Sequence, residues 1–184
     1  MLRGNREFWL ALFTTIIITG IYSMVVYFTR SIPPAGEIFG HVMGILGFVL
    51  MIMTETLYSL RKRSRIARWG KMSNWLQFHI FTGLVGPYMV LLHTSWKFHG
   101  LAGATTLLTI IIVLSGFVGR YIYTRIPRTV DGLEISGALS EQSLRQARRL
   151  MAFWHTIHIP IGMALFLSAF AHIGAALYYV TFSK

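Results

Sequence analysis

Two pairs of histidines have the residue type and the spacing to bind metal at two depths of a membrane. His79 and His93 lie in one apolar stretch, and His158 and His172 lie in another. The members of each pair are fourteen residues apart. Because this is close to four helical turns, both imidazoles of a pair leave nearly the same helix face, about 21 Å apart along the axis.

Equal spacing lets the two pairs face each other. If the two helices run in the same direction, His79 lies level with His158, and His93 lies level with His172. Each facing pair can then hold one planar macrocycle from both sides. A single zinc site is disfavoured, since it needs three or four ligands converging at one point.

Two glycines fit the same interpretation. Gly83 follows the first histidine of its pair by four residues, and Gly162 does the same in the other stretch. A missing side chain one turn along the ligand face leaves room for a porphyrin. The alternative is that the histidines hydrogen-bond a neighbouring helix or line a polar cavity.

Composition indicates that these stretches cross a bilayer. Of the 184 residues, 54% are hydrophobic and 12% are charged, about half the charged fraction of a soluble domain. There is no cysteine, which excludes disulfides, thiolate metal sites, cysteine-held iron–sulfur clusters and covalently attached haem. The chain is therefore predicted to be a polytopic membrane protein whose cofactor ligands are histidines.

The apolar runs predict an all-α fold of five spans within one domain, residues 1–184. The spans are expected at about 8–29, 37–60, 74–96, 101–123 and 151–180. The first run is longer than a signal-peptide core and is expected to be retained as a span. The last helix is expected to begin near Ser140, outside the membrane, and to continue inward without a break.

Basic residues predict the orientation. Fourteen Lys and Arg residues fall on the side of the N-terminus and of the segments 61–71 and 120–149, and three fall on the other side. The positive-inside rule then makes the N-terminus cytoplasmic and the C-terminus external. The surplus of basic residues predicts contact with lipid headgroups, and no nucleic-acid partner is expected.

The segments "FHIFTGLVGPYMVLLHT" and "HIPIGMALFLSAFAHI" resemble the di-haem transmembrane cytochromes b. In that family two helices each carry two haem-ligating histidines, and two b-type haems stack across the membrane. The resemblance covers spans three to five. The chain lacks the Pro-Glu-Trp-Tyr motif of the bc-type proteins, so it resembles a compact cytochrome b subunit of a larger oxidoreductase.

The resemblance implies a helical bundle enclosing two haems b, ligated by His79, His93, His158 and His172, that transfers electrons across an inner (cytoplasmic) membrane. Whether the chain is an enzyme by itself stays open. The implied partners are menaquinone or ubiquinone and an iron–sulfur, c-type cytochrome or flavin subunit. The alternatives are a self-standing membrane reductase and a channel, transporter or assembly factor whose histidines bind protons or metal.

Arginines near the cytoplasmic end of span four are candidates for the haem propionates. Arg120 comes first, with Arg125 and Arg128 second, because a guanidinium offers paired donors to a carboxylate. The alternative is that these arginines extend to the interface beside an aromatic belt.

Three further histidines and two acids remain as candidates. His41, His99 or His155 could serve a third haem, and His155 is also the substitute if the inner ligand is misassigned. Glu55, near the cytoplasmic end of span two, is a candidate for proton exchange with a quinone, or pairs with nearby cations. Glu37 with His41 is the competing quinone site at the outer end.

Overall fold

Five helices make up the described part of the chain. The computed structural model describes residues 5–63, 70–126 and 140–182. The helices in this part are α1 (Arg6–Thr29), α2 (Ile38–Arg63), α3 (Met72–His93), α4 (Gly100–Thr124) and α5 (Glu141–Phe182). Each is long and apolar enough to cross a membrane. The predicted all-helical fold with five candidate spans is confirmed.

The last helix is one continuous rod. It has 42 residues, a length of about 63 Å, which exceeds the ~40–45 Å of a whole bilayer. The Ser143 amide donates to Ser140 Oγ at 3.2 Å, as expected of an N-cap. Pro160 lies inside the helix without ending it. The predicted start at Ser140 and the unbroken course are both confirmed.

The third helix ends at His93, three residues before the predicted limit of its span. Ser95 and Trp96 have φ angles of 50° and 62°, in the left-handed region that no helix continues through. Ser95 Oγ donates to the Pro33 carbonyl at 2.5 Å. This hydrogen bond ties the end of α3 to the turn between α1 and α2.

The helices divide into two compact units, the first containing α1–α3 and the second containing α4 and α5. In the first unit α3 contacts both α1 and α2. Its buried hydrophobic cluster comprises Ala11, Tyr22, Met43, Val85, Met89 and Leu92. In the second unit α4 packs on α5, and the Thr105 and Ser168 hydroxyls hydrogen-bond at 2.6 Å.

Glycines bring α2 and α3 close together. A Cβ on Gly86 would lie 2.9 Å from the Gly47 carbonyl oxygen, and a Cβ on Gly47 would lie 2.8 Å from the Gly86 carbonyl oxygen. Both distances are too short for real contacts, so the two backbones can pack at this point only because both positions lack side chains. The crossing sets how the polar groups of α2 meet those of α3.

Large apolar side chains cover the outside of the helices. Ile38 is 86% exposed and Leu167 is 70% exposed. Such extensive apolar exposure along helices of spanning length is typical of contact with lipid tails. These features indicate a membrane protein whose helices cross the bilayer several times.

Candidate functional site

His79 of α3 is held by α2. His79 is half-buried, and its Nδ1 lies 2.9 Å from the Thr54 carbonyl oxygen. A carbonyl oxygen only accepts, so Nδ1 carries the proton and donates it. In the neutral imidazole the lone pair is then on Nε2, the nitrogen that can ligate a metal.

Further contacts between α2 and α3 surround His79. The Tyr58 ring lies 4.8 Å from the imidazole, centroid to centroid. Thr54 Oγ1 donates to Thr82 Oγ1 at 2.7 Å, and Thr82 Oγ1 donates to the Phe78 carbonyl at 2.9 Å. Thr82 is fully buried. These hydrogen bonds fix the register of α2 against α3 at the depth of His79.

His93 of α3 has an equivalent arrangement. His93 is half-buried, and its Nδ1 donates to the Gly40 carbonyl oxygen at 2.8 Å. The ring lies against Gly44, where a Cβ would be 2.9 Å from both Cγ and Nδ1 of the imidazole. The acceptor residues Gly40 and Thr54 are themselves fourteen positions apart on α2. The repeat of the histidines on α3 is thus matched by a repeat of acceptors on its neighbour.

In the second unit α4 contacts His158 of α5. His158 is half-buried, and its Nδ1 lies 3.0 Å from Ser115 Oγ. Its ring stacks on Trp154, with centroids 4.4 Å apart and planes at 29°. His172 lies on the same helix and is also half-buried.

The glycines predicted to make room for a porphyrin lie next to side chains of their own unit. A Cβ on Gly83 would meet the Thr54 methyl at 3.4 Å, and one on Gly162 would meet Ile112 at 3.9 Å. Both are ordinary van der Waals distances. That these glycines accommodate a cofactor stays a prediction.

The propionate candidates have different surroundings. Arg120 is half-buried near the end of α4. Arg125 is exposed, donates a hydrogen bond to the Tyr121 hydroxyl and lies over the Tyr121 ring at 4.7 Å. This contact is the kind expected of an interfacial arginine beside an aromatic residue. Arg128 lies outside the described residues.

The other candidates are spread over both ends of the helices. Exposed His41 has its Nδ1 3.2 Å from the backbone oxygen of Glu37, whose side chain is also exposed. His99 is exposed at the start of α4, and His155 is half-buried beside Trp154.

The burial of the acidic side chains differs from what their positions in the sequence suggest. Glu55 is exposed and accepts a hydrogen bond from Ser59 Oγ at 3.4 Å. Glu7, in the first turn of α1, is only 2% exposed. Its place at the very start of an apolar run gives no sign of this burial.

Sequence reasoning missed the residues that hold the imidazoles. They are Gly40, Gly44, Thr54, Ser115 and Trp154. Backbone carbonyl acceptors carry no signal in a sequence, but small residues spaced along α2 at Gly40, Gly44 and Gly47 are a signal of close helix packing.

Comparison of the chain with family models, curated proteins and solved structures finds no match. Across residues 5–63, 70–126 and 140–182, no three or more His, Asp or Glu side chains are grouped as metal ligands.

Proposed function

We propose that this chain is a cytochrome b that carries electrons across a membrane through two bis-histidine haems b. One observation carries the proposal: His79 and His93 both donate Nδ1–H to backbone carbonyls of α2. Histidines that ligate metals commonly donate their other ring N–H to such an acceptor. Two half-buried imidazoles with their lone pairs on Nε2, fourteen residues apart on one helix, suit axial ligation at two depths.

The residues present fit haem better than a compact metal site. Two imidazoles would hold each haem, so no cluster of three ligands would be needed. We propose His158 as the ligand opposite His79, and His172 as the ligand opposite His93. When bound, haem supplies one-electron transfer between its ferric and ferrous states.

The chain's own residues would orient the ligands and exclude water. The hydrogen bonds that His79 and His93 donate to α2 hold their rings against rotation, so each Nε2 keeps one direction. The apolar helices would provide low-dielectric surroundings, which influence the reduction potential of a haem. Arg120 is proposed as the propionate partner, since it is half-buried near the C-terminal end of α4.

We further propose that the chain works as the membrane subunit of a quinone-linked oxidoreductase in an inner (cytoplasmic) membrane, with the N-terminus cytoplasmic. The basic residues of the 61–71 and 120–149 segments support this orientation. Menaquinone or ubiquinone at Glu55, or at Glu37 and His41, and a separate electron-carrier subunit are the proposed partners.

Ligand substitutions test the proposal. We expect His79→Ala and His93→Ala each to remove about half of the low-spin haem absorbance of the purified chain. Gly20→Ala in α1 is the control, because a Cβ there would meet nothing within 4 Å. Equal haem content in all three variants contradicts the assignment.

A further inference from the structure

The second unit holds His158 differently from the way the first unit holds His79 and His93. His79 and His93 donate to carbonyl oxygens, which only accept, whereas His158 Nδ1 faces a hydroxyl. A hydroxyl has two lone pairs and a proton of its own. The hydrogen bond at Nδ1 of His158 therefore depends on what else that hydroxyl contacts.

Trp154 shares the same hydroxyl. Its indole Nε1 donates to the Ser115 carbonyl at 2.7 Å and to Ser115 Oγ at 3.1 Å. The indole also stacks on the His158 ring. Gly119 makes this position of the indole possible, since any Cβ there would overlap the Trp154 ring. One tryptophan thus fixes the plane of the imidazole and competes for its acceptor.

We propose that Ser115 and Trp154 are positioning residues that set the strength of the hydrogen bond at Nδ1 of His158, and through it the reduction potential of the iron that His158 ligates. The inference rests on the proposed haem ligation. An iron on Nε2 requires the proton on Nδ1, so Ser115 Oγ accepts from both His158 and Trp154. An oxygen that already accepts one N–H is a weaker acceptor for the second than a backbone carbonyl.

The strength of the hydrogen bond at Nδ1 changes the reduction potential of the iron in a defined direction. A strong acceptor at Nδ1 makes an imidazole ligand more basic, which favours ferric iron and lowers the potential. The shared hydroxyl is a weaker acceptor and raises the basicity of His158 less. The iron that His158 ligates therefore has a higher reduction potential than it would have if a backbone carbonyl accepted from Nδ1.

Two substitutions then have opposite effects in a redox titration of the purified, haem-containing chain. Ser115→Ala removes the acceptor, so the potential of one haem rises. Trp154→Phe keeps a ring to stack but removes the competing N–H, so Ser115 accepts more strongly and the potential of the same haem falls. Ser168→Ala, which removes another hydroxyl contact between α4 and α5, shifts neither haem. If the two variants shift the reduction potential in the same direction, or do not shift it, the proposal is overturned. Residues with a purely structural role would not shift the potential in opposite directions.

A second measurement is independent of haem. In porphyrin-free protein labelled with ¹⁵N-histidine, Ser115→Ala moves the Nδ1 resonance of His158, and Ser168→Ala leaves it in place. An unmoved resonance in Ser115→Ala overturns the inference. If the chain binds no haem but this resonance moves, the proposed function fails while the contact between Ser115 and His158 stands.

Discussion

At the residue scale, the proposed haem ligation depends on the groups that hold each imidazole as much as on the imidazole itself. His79 and His93 are readily found in the sequence because fourteen-residue spacing is visible there. Their acceptors are backbone oxygens of Thr54 and Gly40, and any residue type supplies a backbone oxygen. The two histidines were therefore predictable as candidate ligands, and their tautomers were not.

Gly44 gives a direct test of how His93 is held. In Gly44→Ala the new methyl group would lie 2.9 Å from the imidazole, so the ring must move away from the Gly40 carbonyl. We expect the haem content to fall from two per chain to about one, measured as pyridine haemochromogen. Gly20→Ala in α1 is the control, since a Cβ there meets nothing within 4 Å. Full haem content in Gly44→Ala would contradict the role of this contact.

Arg120 and Arg125, the two propionate candidates among the described residues, should differ in their effect on the reduction potential. A cation near a haem favours the more negative, ferrous form, so Arg120→Gln is expected to lower the potential of one haem. Arg125→Gln is expected to have a smaller effect, because Arg125 is exposed and its guanidinium lies over Tyr121. Redox titration of both variants measures the difference. A larger shift in Arg125→Gln would reverse the assignment.

At the element scale, α2 supports the helix that carries His79 and His93. The close approach of Gly47 and Gly86 allows α2 to reach the imidazoles of α3 with its backbone. Hydropathy predicted both helices and most of their boundaries, because long apolar runs determine them. It did not predict that the third helix ends at His93, since the left-handed φ angles of Ser95 and Trp96 occur at residue types that do not signal them.

Substitutions of two glycines on α3 separate packing from cofactor space. Gly86→Ala forces a Cβ against the Gly47 backbone, and we expect a loss of about 1–3 kcal/mol of stability, measured as a lower thermal midpoint in detergent. Gly83→Ala meets only the Thr54 side chain at 3.4 Å, so its thermal midpoint without haem should be nearly unchanged.

The same Gly83→Ala variant tests the predicted room for a porphyrin. If Gly83 borders the cofactor, the variant binds less haem while keeping its thermal stability. If it binds haem at the unsubstituted level, the glycine is not needed for the cofactor.

At the scale of the whole molecule, lipid-exposed apolar surface and five helices of spanning length define a multi-pass membrane protein. Composition was sufficient to predict this, because burying so many apolar side chains in five helices of a small chain is not possible without lipid. The histidine pairs of α3 and α5 belong to different units. That they face each other stays a prediction, which is based on their equal spacing and on the expected common direction of the two helices.

Orientation can be measured cleanly because the chain has no cysteine. A membrane-impermeant maleimide added to intact spheroplasts should label Lys97→Cys, between α3 and α4. It should label Ser140→Cys, the N-cap of α5, only after the membrane is permeabilised. The opposite pattern would invert the topology that the basic residues predict.

The optical spectrum of the unmodified chain tests the central claim most directly. Purified from haem-replete cells, the protein is predicted to contain two non-covalent haems b per chain and to give sharp low-spin bands in the reduced-minus-oxidised spectrum. A colourless protein, or one whose bands are those of high-spin iron with an open coordination position, would contradict ligation by paired histidines.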